Sequence, residues 1–208
     1  MAMGEPPRRR SERGARRRQA LVEAAAALVA ERGIAAVTHR AVAERAELPL
    51  AATTYYFASL AELVEAAVGV VAGGWLRGAR AAVAGLPPVL RDPAEVARAV
   101  MRVVSATPSG APPIATGDLL VLYDRYLEAG RHPYLQPAVR THNERLDGLL
   151  REVLERGRLT PDPATARALL ALVDGAILRA LAEGGDPAPP TLAAVEAFVR
   201  RLPVADRA

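Results

Sequence analysis

The chain of 208 residues is 51% hydrophobic and 24% charged, which is ordinary for a globular protein of one or two domains. It has no cysteine, and its three histidines are not spaced as a helical metal site requires, so we expect no disulfide, metal centre or cofactor. No apolar run approaches the ~20 residues that cross a bilayer, and no signal-peptide pattern follows the basic N-terminus, so we expect a cytoplasmic protein with no membrane contact.

The net charge of +4 is concentrated in the first quarter of the chain. Residues 1–57 contain ten arginines and six acidic residues, whereas the remaining residues contain seventeen of each. Residues 1–15 are polar and basic and lack helical periodicity, which predicts a disordered basic arm. The residues alone leave open whether this arm is only a solvated tail or becomes ordered on a polyanion.

Composition and periodicity predict an all-α fold of about nine helices. Alanine, leucine and arginine dominate and are strong helix formers, and no alternating strand pattern longer than four residues competes with them. The first helix is expected from Arg16 to the stop signal at Gly33. A short helix capped by Thr38 follows, and it ends before Pro49, which disfavours a helical residue ahead of it. A third short helix then runs to about Phe57.

Longer helices occupy the rest of the chain. Ser59 and Glu62 form a capping box at the start of the fourth helix, in which Gly73 and Gly74 mark a weak point or a close-packing site. Asp92 caps the fifth helix, which precedes a proline-rich loop over residues 108–113. The predicted bounds of the six longer helices are about 59–84, 92–107, 116–129, 134–157, 163–183 and 191–202.

The segment 38–57 has the spacing of a helix-turn-helix motif, whose second helix enters the DNA major groove. That second helix contains adjacent threonines and adjacent tyrosines, which cannot all face a core because neighbours are 100° apart. Thr53 and Phe57 share one face, so Thr54 and Tyr55 must point elsewhere, with hydroxyls suited to phosphates or base edges. These residues favour DNA binding, although tyrosines that are partly buried also fit the pattern.

Residues 16–65 resemble the TetR family of bacterial repressors. The matching residues are Gly33, Ile34, Ala35, Ala36, Val37, Thr38, Val42, Ala43, Ala46, Leu48, Thr53, Thr54, Tyr55, Tyr56, Phe57, Ser59, Glu62 and Leu63. The resemblance implies a helix-turn-helix DNA-binding domain at residues 16–62, followed by a helical ligand-binding and dimerisation domain at residues 63–208. The chain departs from the family pattern at Glu47, where a turn glycine is usual, and at Leu60, where a phosphate-binding lysine is usual.

The resemblance also implies DNA contacts for nine residues. Arg40 stands where family members reach a base, and arginine to guanine is the commonest specific contact. Tyr55 and Tyr56 are expected to hold phosphates, and the start of the third helix is expected to face the groove. The complete set is Thr38, His39, Arg40, Leu50, Ala51, Ala52, Thr54, Tyr55 and Tyr56.

A ligand pocket among the C-terminal helices would combine apolar walls with a few polar groups. The candidates are Trp75, Met101, Leu119, Leu122, Tyr123, Tyr126 and His142. We prefer His142 to its neighbour Asn143, because at most one of two adjacent helical residues points fully inward. The alternative is an ordinary core, since Met and Leu at helical spacing are usually core residues. Asp174 interrupts an otherwise apolar helix, so it is expected to need a hydrogen-bond partner there.

The favoured interpretation is a transcriptional regulator, a repressor that a small-molecule effector releases from a palindromic double-stranded operator. The resemblance implies a homodimer formed through the last two long helices, about 163–183 and 191–202. The alternative is a helical small-molecule-binding or interaction protein without sequence-specific DNA binding. No enzyme is expected, because the sequence has no metal triad, nucleophile elbow or phosphate-binding loop.

Overall fold

The computed structural model describes residues 7–108 and 116–205, which form nine α-helices and two short 3-10 turns. The helices are α1 Pro7–Arg32, α2 His39–Arg45, α3 Leu50–Tyr56, α4 Leu60–Ala84, α5 Pro93–Val104, α6 Thr116–Gly130, α7 Gln136–Arg156, α8 Pro163–Ala182 and α9 Ala188–Val199. Within these ranges the chain forms no strand, so the predicted all-α class is confirmed. Residues 109–113 of the predicted loop and residues 1–6 of the predicted arm lie outside the described residues.

Helix α1 is longer than the sequence predicts. It begins at Pro7 rather than at Arg16, so the prediction of a disordered arm was wrong for residues 7–15. Proline is favoured in the first turn of a helix, where its missing N–H would have no partner in any case. The arginines and alanine that follow are good helix formers, so they continue the helix. They form no apolar face, so hydrophobic periodicity gives no sign of this part of the helix.

Side-chain caps fix the starts of the helices around the turn motif. The Thr38 hydroxyl accepts a hydrogen bond from the backbone N–H of Ala41 at 3.1 Å, as its place before α2 predicts. At α4, the Ser59 hydroxyl accepts from the N–H of Glu62 at 3.1 Å, and the Glu62 carboxylate accepts from the N–H of Ala58 at 2.8 Å. These local signals set the starts of the two helices that flank α3.

The chain divides into two compact units. The first comprises the described residues up to Gly73 together with Arg125–Val139, and the second comprises Gly74–Asp124 together with the described part of Arg140–Ala208. The units differ from the predicted domains, because the first part of α4 and the last part of α6 belong to the first unit. The sequence signals mark helix ends, and they do not show which part of a long helix packs into which core.

Each unit has its own apolar core. The core of the first unit includes Leu21, Ala25, Leu28, Val42, Phe57, Leu63 and Leu135. The core of the second unit includes Val96, Val100, Val103, Leu150, Val153, Leu154, Leu169, Val173 and Val195. The first core fixes the faces of α2 and α3, and the second fixes those of α5, α7, α8 and α9.

A membrane-spanning helix needs both length and apolar character. Among the residues that the structure covers, no single helix has enough of both. Leu50–Tyr56 and Leu60–Ala84 meet the requirement only when taken together, and they are bent by 85° at the break between them.

Candidate DNA-binding and ligand-binding sites

The turn between α2 and α3 closes the C-terminus of α2 with two backbone hydrogen bonds. The N–H of Leu48 donates to the carbonyl oxygen of Ala43 at 3.0 Å, and the N–H of Glu47 donates to that of Glu44 at 3.2 Å. This is the Schellman motif, in which the residue directly after the C-cap of the helix takes the left-handed conformation. Glu47 does so, with φ 54°. The turn therefore keeps the conformation that favours glycine, although the residue is a glutamate.

Helix α3 buries one face and exposes the other. Thr53 is fully buried, and its hydroxyl donates to the carbonyl oxygen of Leu50 at 2.8 Å, so its polar group is satisfied inside the core. Phe57, directly after α3, is 2% exposed. The opposite side, here called the exposed face of α3, consists of Leu50, Ala51, Thr54 and Tyr55. Leu50 is 55% exposed and Tyr55 is 80% exposed, so Tyr55 is not a core residue.

Three of the nine predicted DNA contacts are only half exposed. Tyr56 packs against the first core, and its ring meets that of Tyr55 edge-on at 4.9 Å between centroids. Ala52 also packs against this core. His39 is half buried, and its Nδ1 has no hydrogen-bond partner among the described residues. Because Tyr56 packs against the first core, the interpretation of Tyr56 as a partly buried aromatic residue is correct. Its hydroxyl lies beside Gly14 of α1.

Arg40 and Arg45 differ sharply although both lie on α2. Arg45 is held by the Glu31 carboxylate through two hydrogen bonds of 2.8 and 2.5 Å. Arg40 is exposed and makes no ion pair within the described ranges. Thr38, two residues earlier, is also exposed. The start of α2 therefore presents a free guanidinium next to a hydroxyl, which is a suitable combination for a base edge and a phosphate.

Arg18 of α1 makes two contacts with residues that follow α3. Its guanidinium lies 4.7 Å from the centre of the Phe57 ring, and one nitrogen is 3.8 Å from the Glu62 carboxylate. The cation–π contact and the ion pair connect α1 to the residues between α3 and α4. No sequence signal identifies this contact, because Arg18 is one of three consecutive arginines on a helix.

Six of the seven candidate pocket residues lie in the second unit. Met101, Leu119 and Tyr123 are partly buried against its core. Trp75, Leu122 and His142 are half buried. Tyr126 belongs instead to the first unit and is 41% exposed, so the structure does not group it with the others. A helical period cannot predict this split, because α6 contributes residues to both units.

Asp174 has the hydrogen-bond partner that the sequence requires. The Tyr123 hydroxyl donates to Asp174 Oδ1 at 2.8 Å and joins α6 to α8. Burial raises the pKa of the Asp174 carboxyl above its ordinary value, and the hydrogen bond from Tyr123 lowers it in part. On α8, Val173 and Ile177 lie on either side of Asp174 in the sequence and are buried in the apolar core of the second unit.

Helix α8 also carries an exposed apolar stripe, here called the outer face of α8. Its residues recur at helical spacing and are Ala168, Ala171, Gly175, Leu178 and Ala182. Leu178 is 39% exposed, and a Cβ added at Gly175 would meet no atom within 4 Å. On α9, Ala193 and Ala197 are exposed as well. A helix surface of this kind suits close approach of another helix.

Comparisons with known proteins cover most of the chain. The family described as bacterial regulatory proteins, tetR family, matches residues 21–67, and the family described as tetracyclin repressor-like, C-terminal domain, matches residues 91–203. These two matches lie on the helix-turn-helix region and on α5 to α9. A search of curated proteins finds no match.

Solved structures agree with both matches. The multidrug binding protein EbrR complexed with imidazole is 33% identical to this chain, with a TM-score of 0.65 over 91% of this chain and 97% of its own. The complex of EbrR with ethidium is 33% identical, with a TM-score of 0.63 over 90% and 99%. A TetR-family member, SCO1917 from Streptomyces coelicolor A3, is 34% identical, with a TM-score of 0.60 over 90% and 99%. The chain therefore belongs to the TetR family and is a DNA-binding transcriptional regulator with a C-terminal ligand-binding domain.

Proposed function

We propose that the protein is a homodimeric repressor whose two α3 helices read the half-sites of a palindromic operator. The observation that carries this proposal is the exposed face of α3, where hydroxyl and apolar side chains lie together outside the core. Leu50 and Ala51 offer methyl groups that a thymine methyl can cover. Tyr55 offers a hydroxyl that can donate to a phosphate, and the Thr54 hydroxyl, which donates to the carbonyl oxygen of Ala51 at 3.3 Å, can accept a hydrogen bond from a base edge.

The start of α2 and the half-buried residues of α3 supply the remaining contacts in this proposal. Arg40 reaches a base edge, because its guanidinium is exposed and has no carboxylate partner within the described ranges. Thr38, His39 and Tyr56 hold phosphates that fix the orientation of the two helices on the duplex. Ala52 is half buried and only borders the groove.

The proposed dimer forms through α8 and α9. Its centre is the outer face of α8, since apolar residues on a helix surface are stabilised when a partner covers them. Gly175 lies in the middle of this face and lets the partner helix approach closely. Arg167 and Arg179 are exposed on either side of it, as expected at the rim of an interface.

The proposed effector is a small organic molecule bound in the second unit. Complexes of EbrR with imidazole, proflavin, ethidium and malachite green support this choice of ligand type. For release from DNA, the effector must bind more tightly to a state of the dimer that misfits the operator.

Fluorescence anisotropy with fragments of the source genome tests the proposal. At least one fragment should bind ~100-fold better than random duplex at moderate salt, with two chains bound per operator. Thr54→Glu places a negative charge on the exposed face of α3 without touching the core, so it should abolish binding while the helical content stays unchanged. If every fragment bound with about the same affinity as random duplex, the protein would instead be a helical ligand-binding protein without sequence-specific DNA recognition.

A further inference from the structure

We propose that the second unit recognises its effector as an organic monocation, with Asp174 as the counter-charge and Tyr123 as the residue that positions the carboxylate. This inference rests on the proposed function, since it names the chemical class of the regulator's effector.

Asp174 is the only charged residue between Arg167 and Arg179 on α8. Its neighbours Val173 and Ile177 are buried in the second core. A carboxylate in such surroundings loses part of its hydration, and only hydrogen bonds or a nearby cation can replace what is lost. An apolar residue would fit this stretch of α8 without the free-energy cost of lost hydration, so packing alone does not account for an acid at position 174.

The protein compensates the Asp174 charge only in part. The Tyr123 hydroxyl at 2.8 Å orients the carboxylate, but a phenol is neutral and leaves the negative charge in place. No ion pair involving Asp174 occurs in the part of the chain that the structure covers. The raised pKa of Asp174 agrees with this lack of compensation.

Asp147 on α7 provides a comparison within the same unit. Burial also raises the pKa of its carboxyl, but the Arg167 guanidinium lies 3.8 Å away and opposes that effect. Both acids are half buried, and among the residues that the structure describes Asp147 has a cation beside it whereas Asp174 does not. A bound cation would therefore stabilise the Asp174 carboxylate.

Two features favour an organic cation over a metal ion. Leu119 and Met101, like Tyr123, are partly buried apolar side chains against the core that Asp174 borders, and they suit a hydrocarbon or aromatic body. A metal ion would require several ligands, and the described residues contain no group of three or more His, Cys, Asp or Glu that could hold one.

Isothermal titration with ethidium and with its uncharged parent, 3,8-diamino-6-phenylphenanthridine, tests this inference. Ethidium intercalates into duplexes, so the titration uses the full chain without DNA. Asp174→Asn keeps the size and hydrogen-bonding capacity of the side chain and removes its charge. It should weaken ethidium binding about tenfold or more, which is about 1.4 kcal/mol, and change binding of the uncharged parent by less than ~2-fold.

Two further variants separate charge recognition from damage to the site. Tyr123→Phe removes the hydrogen bond that orients the Asp174 carboxylate but leaves its negative charge in place. Ethidium binding should therefore weaken by less than in Asp174→Asn. Glu183→Gln removes an exposed charge beyond the end of α8, where it pairs with Arg179, and should bind both compounds like the wild type.

The inference is overturned if Asp174→Asn binds ethidium like the wild type, if it loses both compounds equally, or if the wild type does not bind ethidium. Operator titration of the same preparations distinguishes this failure from failure of the proposed function. A wild type that binds its operator specifically but shows no charge preference for ligands would retain the repressor proposal and lose only this inference.

Discussion

The backbone N–H of Leu48 reaches back to the carbonyl oxygen of Ala43, and the resulting turn holds Glu47 at φ 54°. A left-handed conformation brings the Cβ of an L-residue close to its own backbone, which glycine avoids. Two other helix ends show the same backbone pattern, one with Gly184 and one with Arg158 at φ 59°. The turn of the DNA-binding motif is thus closed at the expense of local strain.

Glu47→Gly should stabilise the protein. Relief of the strain outweighs the extra freedom that glycine gives the unfolded chain, and we expect a gain of about 1 kcal/mol in the free energy of unfolding. Urea unfolding followed by circular dichroism measures it. Glu65→Gly, at an exposed position inside α4, is the matched control and should destabilise by about 1 kcal/mol. A loss of stability in Glu47→Gly would contradict the expectation.

Gly78→Ala and Gly69→Ala should act in opposite directions although both lie on α4. A Cβ at Gly78 would overlap the carbonyl oxygen of Thr107 and lie 2.8 Å from its carbonyl carbon, whereas a Cβ at Gly69 would meet nothing within 4 Å. We expect Gly78→Ala to destabilise by about 2 kcal/mol and Gly69→Ala to stabilise by about 0.5–1 kcal/mol. Thermal unfolding of the two variants measures both changes in stability. A stabilised Gly78→Ala would show that the backbone at Thr107 moves away from the added methyl group.

Arg40→Ala should reduce affinity for the operator by ~1–3 kcal/mol and relax the preference at one base pair in each half-site. The reason is the exposed guanidinium, which can form two hydrogen bonds with guanine. Binding to a library of operator variants measures both effects. Arg98→Ala removes the same charge from an exposed position on α5 and should leave operator affinity unchanged. Equal loss on every sequence in Arg40→Ala would reassign Arg40 to a phosphate.

Tyr55→Phe should weaken operator and random duplex alike. Loss of one hydroxyl from a charged acceptor is expected to cost about 1.5 kcal/mol, or roughly tenfold in affinity, and to reduce binding uniformly across sequences. Because the ring is 80% exposed and stays in place, the free energy of unfolding should not change. Titrations of both duplexes at several salt concentrations test this, and unchanged affinity would remove Tyr55 from the interface.

Gly175→Arg should separate the proposed dimer. A guanidinium in the middle of the outer face of α8 would be buried without a partner, so we expect dimerisation to weaken by about 100-fold or more. Sedimentation should give a wild-type mass of twice the 21.9 kDa chain and a monomer for the variant. Thr141→Arg, at an exposed position on α7, is the control and should remain dimeric. A dimeric Gly175→Arg would place the interface elsewhere.

Local chemistry explains which parts of the fold the sequence could predict. Thr38 and Ser59 cap helices through hydrogen bonds only three residues apart, so a short window contains the whole signal. The first turns of α1 have no apolar periodicity, so periodicity does not predict that the helix begins at Pro7. The split of α6 between two units depends on packing partners far away in the chain, so the sequence could not show that Tyr126 belongs to the first unit.

The candidate sites follow the same rule. The exposed face of α3 could be predicted because Thr53 and Phe57 lie four residues apart and Thr54 and Tyr55 do not share their side. The pair of Tyr123 and Asp174 spans 51 residues, so the sequence could only indicate that Asp174 needs some partner. The contact of Arg18 with the Phe57 ring likewise depends on tertiary structure.

Trp75 is the only tryptophan in the chain, and it lies half buried in the second unit. Light at 295 nm, which tyrosine hardly absorbs, will therefore excite emission from this unit alone. Denaturation or effector binding there can be followed without a label, while the half that contains α2 and α3 stays optically silent until a tryptophan is introduced into it.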